Sequence, residues 1–147
     1  MITMNLRNAT ILPLAVVLGS CSYLYDVVAV LQDGRVAFAV APDPRQQPEC
    51  LRRVEVVAEE QSQTVWRENV SHEDACANRF PFVYGQRLRG QHQQDGLRDT
   101  SPQSLKRGIV YAISTTTGST GYGGGRFVIR ADGRVENIPY SSASPTL

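Results

Sequence analysis

The alternation of apolar and polar side chains over residues 51–60 constrains the fold of this chain most. Val54, Val56 and Ala58 fall on one side, and Arg53, Glu55 and Glu59 on the other. A period of two buries one face of a strand and wets the other, as in an antiparallel sheet, and it is incompatible with a helix. The rhythm returns at Val36, Phe38 and Val40, and again at Ile109, Tyr111 and Ile113. Asp33-Gly34 stands between the β-rich runs 26–31 and 35–41. Asp-Gly there signals a hairpin, because both central residues of a type I′ turn need positive φ. Pro42-Asp43-Pro44 stops the second run.

Further along, residues 61–63 make a turn and 64–67 start another strand. Trp66, the only tryptophan, is expected in the core. Ser71-His72-Glu73-Asp74 reads as a cap with acidic residues in a first turn, which predicts at most one short helical turn. Residues 80–85 form a short extended piece, and 86–104 a long polar loop with one edge strand around 87–90. The glycine-rich stretch 115–125 lies between two strands and predicts a hairpin with a flexible tip. Asp132-Gly133 turns the chain once more into 134–136. Many short strands, turn signals and no long helix predict an all-β fold, an antiparallel β-sandwich of about seven strands.

The start of the chain concerns address rather than fold. Residues 9–19 are apolar and follow Arg7. About eleven residues are too few for a spanning helix, which needs roughly 20, and Pro13 interrupts them. They suit the apolar core of a secretory signal. The stretch closes on Leu18-Gly19-Ser20-Cys21, which resembles a bacterial lipoprotein signal. That resemblance implies removal of residues 1–20, a diacylglyceryl group on Cys21, and outer-membrane sorting through Ser22, with the protein on the periplasmic face. It divides the chain into a signal (1–20), a lipidated start and tether (21–25), a domain (26–140) and a flexible tail (141–147). An ordinary cleaved signal that leaves Cys21 free is the alternative.

Without Arg7, basic and acidic side chains are equal in number. Near-zero net charge argues against nucleic-acid binding, which needs clustered excess Lys and Arg. With Cys21 acylated, Cys50 and Cys76 remain as an even pair in an oxidising compartment, which predicts a disulfide. A metal site of Cys50, His72 and Cys76 is the rival reading, and it lacks a clear fourth ligand.

The glycine-rich stretch fails as a phosphate loop, because no Lys follows and a strand comes next. No Gly-x-Ser-x-Gly elbow exists. His72 and His92 lie in polar segments and read as solvated surface residues. No catalytic constellation, cofactor or nucleotide is indicated. Arg79, Arg87, Arg89 and Arg98 interleave with Phe80, Phe82 and Tyr84. Arg and Tyr are enriched in interface hot spots. Arg79, Tyr84, Arg87 and Arg89, together with Tyr122 on the glycine-rich tip, are the candidate binding residues.

Leu105-x-x-Gly108-x-x-Tyr111 resembles the tyrosine corner of immunoglobulin-like and fibronectin type III sandwiches. Arg107 stands where proline commonly precedes the corner glycine. More broadly, the chain resembles small bacterial lipoproteins that carry such a domain. The shared pattern is Cys50, Trp66, Phe82-Val83-Tyr84-Gly85, residues 105–111, and the 127–133 strand with its Asp-Gly turn. The resemblance implies an immunoglobulin-like sandwich. It also implies a membrane-anchored, non-enzymatic envelope module whose partner is an envelope protein or a peptidoglycan-related component. A periplasmic inhibitor of a lysozyme or protease, acting through an inserted loop, is the alternative.

Overall fold

The computed structural model describes residues 21–42, 47–73, 75–93, 96–118 and 120–139. The expected signal, the tail 141–147, and Asp43, Pro44 and Asp74 lie outside the described residues. Eight strands form: β1 (Tyr23–Gln32), β2 (Arg35–Val40), β3 (Arg53–Ala58), β4 (Gln63–Asn69), β5 (Phe82–Val83), β6 (Val110–Thr116), β7 (Gly121–Ile129) and β8 (Val135–Asn137). The fold is all-β, with no helix among the described residues. Where one helical turn was expected, residues 72–73 form a simple turn.

The strands pair in the order β4-β3-β6-β7-β1-β2-β5, with β8 added to β7. Every pairing is antiparallel except β1 with β7, which is parallel. The sheet is therefore mixed, which corrects the expectation of a purely antiparallel one. The cause lies in β1, which divides its hydrogen bonds. Residues 23–26 pair with Gly121–Gly124 of β7, and residues 27–32 pair with β2. At the changeover the Asn137 carboxamide serves as a strand partner, accepting from Ala29 N at 2.7 Å and donating to Ala29 O at 2.8 Å. Strand β1 also begins three residues earlier than the sequence suggests. Residues 23–25 belong to the sheet and Tyr25 is buried, so they are not a tether.

The glycine-rich stretch is the second correction. Gly121, Gly123 and Gly125 are not part of a flexible tip but lie in β7, on its inward face. A Cβ on Gly123 would overlap the Tyr25 ring and the Thr115 hydroxyl, and one on Gly125 would overlap the Val27 carbonyl. Their missing side chains make a groove that admits β1 and its tyrosines. Tyr25 lies in it with its hydroxyl 2.7 Å from Thr115 Oγ1. The connection from β6 to β7 is closed by Thr117 N donating to Gly121 O at 3.0 Å.

The sheet curls so that strands distant along the pairing path meet. Trp66 of β4 and Phe82 of β5, the path's two ends, have ring centroids 6.2 Å apart. Phe38 of β2 stands edge-on to Phe127 of β7 at 5.5 Å. These rings, with Leu51, Val54, Val56 and Ile113, are the fully buried centre. Asp33 (φ 50°) and Gly34 (φ 74°) make the β1–β2 turn in the left-handed region, as Asp-Gly requires. Cys50 and Cys76 are disulfide-bonded with Cα atoms 5.8 Å apart, which overturns the metal alternative at Cys50, His72 and Cys76.

Tyr111 is buried, stacks on Phe127 at 5.5 Å, and accepts a hydrogen bond from the Lys106 backbone N at 2.9 Å. Gly108 (φ 77°) makes the bend between them, and Leu105 packs on the core. Tyr111→Phe removes one hydroxyl acceptor and little volume. Chemical denaturation is expected to show a loss of about 0.5–1.5 kcal/mol. An unchanged midpoint would mean that this bond contributes nothing to stability.

Candidate functional site

The polar segment 86–104 is not a free loop. Its expected edge strand around 87–90 is replaced by pairing farther along, on the outer edge of β4. Gln93 N donates to Asn69 O at 3.1 Å, Thr100 and Arg67 exchange backbone bonds of 2.8 and 3.0 Å, and Gln103 N donates to Val65 O at 2.9 Å. A sheet edge left bare presents unpaired N–H and C=O groups, and this segment covers it.

That attachment gathers the densest group of ionisable side chains in the described residues. Glu68 points inward from β4 and is 5% exposed. Its Oε2 accepts from Leu88 N at 3.1 Å, and its Oε1 lies 3.6 Å from Arg87 Nη1. His92 bridges the group: Nδ1 is 2.6 Å from Asp99 Oδ2 and 3.6 Å from Glu68 Oε2, and Nε2 is 2.9 Å from Leu88 O. Asp99 Oδ1 accepts from Asn69 N at 2.9 Å, while Arg87 Nη1 stands 3.9 Å from Asp99 Oδ2. Both ring nitrogens thus have an oxygen partner, Asp99 Oδ2 on one side and Leu88 O on the other. His92 is therefore a half-buried bridging residue and not the solvated one its polar segment suggests. Burial pushes the Glu68 carboxyl up, opposed by the Leu88 N–H and His92, and reinforced by Asp99. Each acidic or imidazole group is oriented by backbone: Leu88 N–H for Glu68, Leu88 C=O for His92, and Asn69 N–H for Asp99. Glu68, His92 and Asp99 offer ligand atoms within 4.8 Å of one another.

The five candidate binding residues do not form one surface. Arg87 caps this cluster with its side chain 69% exposed. Arg79 and Arg89 are exposed near it. The Arg79 Nη1 donates to Cys76 O at 2.6 Å, and the Arg89 backbone is held by the Asn78 side chain. Tyr84 has a structural position. Its ring stands edge-on to Trp66 at 5.0 Å, and its hydroxyl donates to Gln103 O (2.8 Å) or Val65 O (3.2 Å). Burial pushes its phenol up to about 12. Tyr122 sits on β7 with Leu24 and Thr116 as register partners, at the end of the sheet where β1 begins. The free thiol of Cys21 is exposed at that same end. A recess of about 140 Å³ beside the β3–β4 turn is lined by Gln61, Gln63, Gln103, Lys106 and Tyr111, apart from both histidines.

Sequence reasoning missed Glu68 and Asp99. Glu68 was open to detection, because it stands two residues after Trp66 in a strand and so faces the same side. Asp99 gave no such signal, since its place depends on how 91–103 lies along β4. No helix among the described residues is long and apolar enough to cross a membrane. No family model, curated protein or solved structure matches this chain.

Proposed function

We propose that this chain is a lipid-anchored, non-enzymatic module of the bacterial envelope, held through Cys21 on the periplasmic face of the outer membrane. The observation that carries the reading is the state of the three cysteines. Cys50 and Cys76 are used in the disulfide, and Cys21 alone is free and exposed, two residues before β1. Together with Leu18-Gly19-Ser20 before it, that thiol is where a lipoprotein signal puts its acyl group.

The proposed architecture is an immunoglobulin-like sandwich. Strands β1, β2 and β5 form one layer and β4, β3, β6 and β7 the other, with β1 contributing to both. The Phe38–Phe127 and Trp66–Phe82 contacts between these sets of strands favour it, as does the backward hydrogen bond of Tyr111. The function follows from the stance this gives. Ser22 alone separates the acylated residue from the sheet, so the domain rests against the bilayer and does not swing on a tether. Tyr23 N donates to Thr120 O at 2.9 Å, so the start of β7 lies at the anchored end. Recognition of an envelope protein or a peptidoglycan-related component then falls to the exposed Arg79, Arg87 and Arg89, not to the glycine-rich hairpin.

Metabolic labelling with palmitate tests the anchor. Label is expected in the wild-type protein and not in Cys21→Ser. Equal incorporation by both would refute the reading.

A further inference from the structure

We infer that Glu68, His92 and Asp99 form a binding site for a zinc-type divalent cation, with Arg87 as its displaceable cover. Three acceptor atoms point toward one another here: the Glu68 carboxylate, His92 Nδ1 and Asp99 Oδ2. Acceptors converge stably only around positive charge. In the metal-free protein Arg87 supplies positive charge beside both carboxylates. A cation bound there takes over that role, and any proton held between Nδ1 and Asp99 Oδ2 leaves to solvent.

Three features favour a metal over a merely structural ion pair. First, the ligands are positioned independently of one another by the backbone groups described above, and Nε2–H on Leu88 O is the contact that ligating histidines commonly make with their second nitrogen. Secondly, the spacing is close to that required. Bonds of 2.0–2.2 Å in a tetrahedron put ligand atoms about 3.4 Å apart; Nδ1 and Glu68 Oε2 are 3.6 Å apart, and Nδ1 and Asp99 Oδ2 have only to part from 2.6 Å. Thirdly, Glu68 is a carboxylate 5% exposed, with Oε2 held by Leu88 N at 3.1 Å and Oε1 ion-paired with the exposed Arg87 at 3.6 Å. Taking a carboxylate out of water costs free energy unless positive charge offsets it, and a bound cation would supply that charge. One imidazole and two carboxylates select a borderline ion such as Zn²⁺ or Mn²⁺. Arg87 is 69% exposed on its side chain and free to swing outward when the ion enters.

The experiment uses the full chain carrying Cys21→Ser, which removes the exposed thiol as a rival ligand. Zn²⁺ binding is measured by calorimetry on this protein and on Arg87→Gln, His92→Gln and Asp99→Asn versions of it. One equivalent is expected to bind. Arg87→Gln should bind at least as tightly, because a competing charge is gone, while His92→Gln and Asp99→Asn should lose about tenfold or more. Absence of binding at millimolar Zn²⁺, weaker binding by Arg87→Gln, or undiminished binding by His92→Gln would overturn the site. Because ligand substitutions could unfold the segment, Mn²⁺ is also titrated into protein with all three ligands intact, and the two histidine ring signals are followed by NMR. Selective broadening of His92 supports the site; broadening of His72 first, or of neither, overturns it.

Discussion

Cys50→Ala with Cys76→Ala is expected to lower the unfolding free energy by about 3.5 kcal/mol, the chain-entropy value for a closed loop of 26 residues. Such a loss is a large part of the roughly 5–15 kcal/mol that a domain has in total. The bridge earns this effect from where it sits. It ties the segment leading into β3 to the segment leading into β5, neither of which has long pairing of its own. One backbone bond, Leu51 N to Asn78 O at 3.0 Å, runs beside it. Without the bridge, the two segments are joined to each other by that bond, while Arg52 is held by Thr116 and Val70, Asn78 by the Arg89 backbone, and Leu51 and Cys50 by burial. Urea titration should show the midpoint fall and the m-value rise, because the unfolded chain expands once the loop opens. A loss below about 1 kcal/mol would mean that the unfolded chain is already constrained in this region.

Which parts of the molecule were legible in the sequence depends on the range of the interactions that set them. Strand β3 could be read from Val54, Val56 and Ala58, because alternation is a local property and one buried face enforces it. The β1–β2 turn followed from Asp33-Gly34 for the same reason. Trp66 was readable as core because a large apolar ring in a β-rich stretch is seldom left in water. The parallel β1–β7 pairing was not readable, because the register partners Tyr25 and Gly123 lie 98 residues apart and neither local run signals the other. Glycines every second residue are consistent with a flexible tip until a neighbouring strand supplies tyrosines to fill the groove they leave. The Glu68–His92–Asp99 cluster was hidden in the same way. His92 sits among polar residues in sequence, and only the laying of 91–103 along β4 turns a solvated histidine into a bridging one.

The glycine stripe in β7 gives the second large expected effect. Gly123→Ala puts a methyl group where the Tyr25 ring and the Thr115 hydroxyl already stand. Tyr25 is 6% exposed and hydrogen-bonded to Thr115, so it cannot move aside without losing both its burial and its partner. Gly125→Ala is the harder case, because its methyl meets the Val27 carbonyl, where β1 passes from β7 to β2. Backbone cannot rotate away as a side chain can. Overpacking of this kind costs about 1–3 kcal/mol, and more where nothing yields. Gly123→Ala is expected near the upper part of that range and Gly125→Ala at or beyond it, with Gly124→Ala on the opposite face of β7 as the control. The two should also differ in rescue. Tyr25→Ala removes the ring that Gly123→Ala strikes, so the double variant should lose less than the sum of the single losses. No side-chain change relieves Gly125→Ala in that way. The consequence reaches function, since β1 is the strand that joins Cys21 to the domain, and loosening it from β7 would create the tether that the native sheet lacks. If Gly123→Ala and Gly125→Ala both leave thermal stability within about 0.5 kcal/mol of wild type, the variation usual at unremarkable surface positions, then β1 does not lie in this groove and the parallel pairing is wrong.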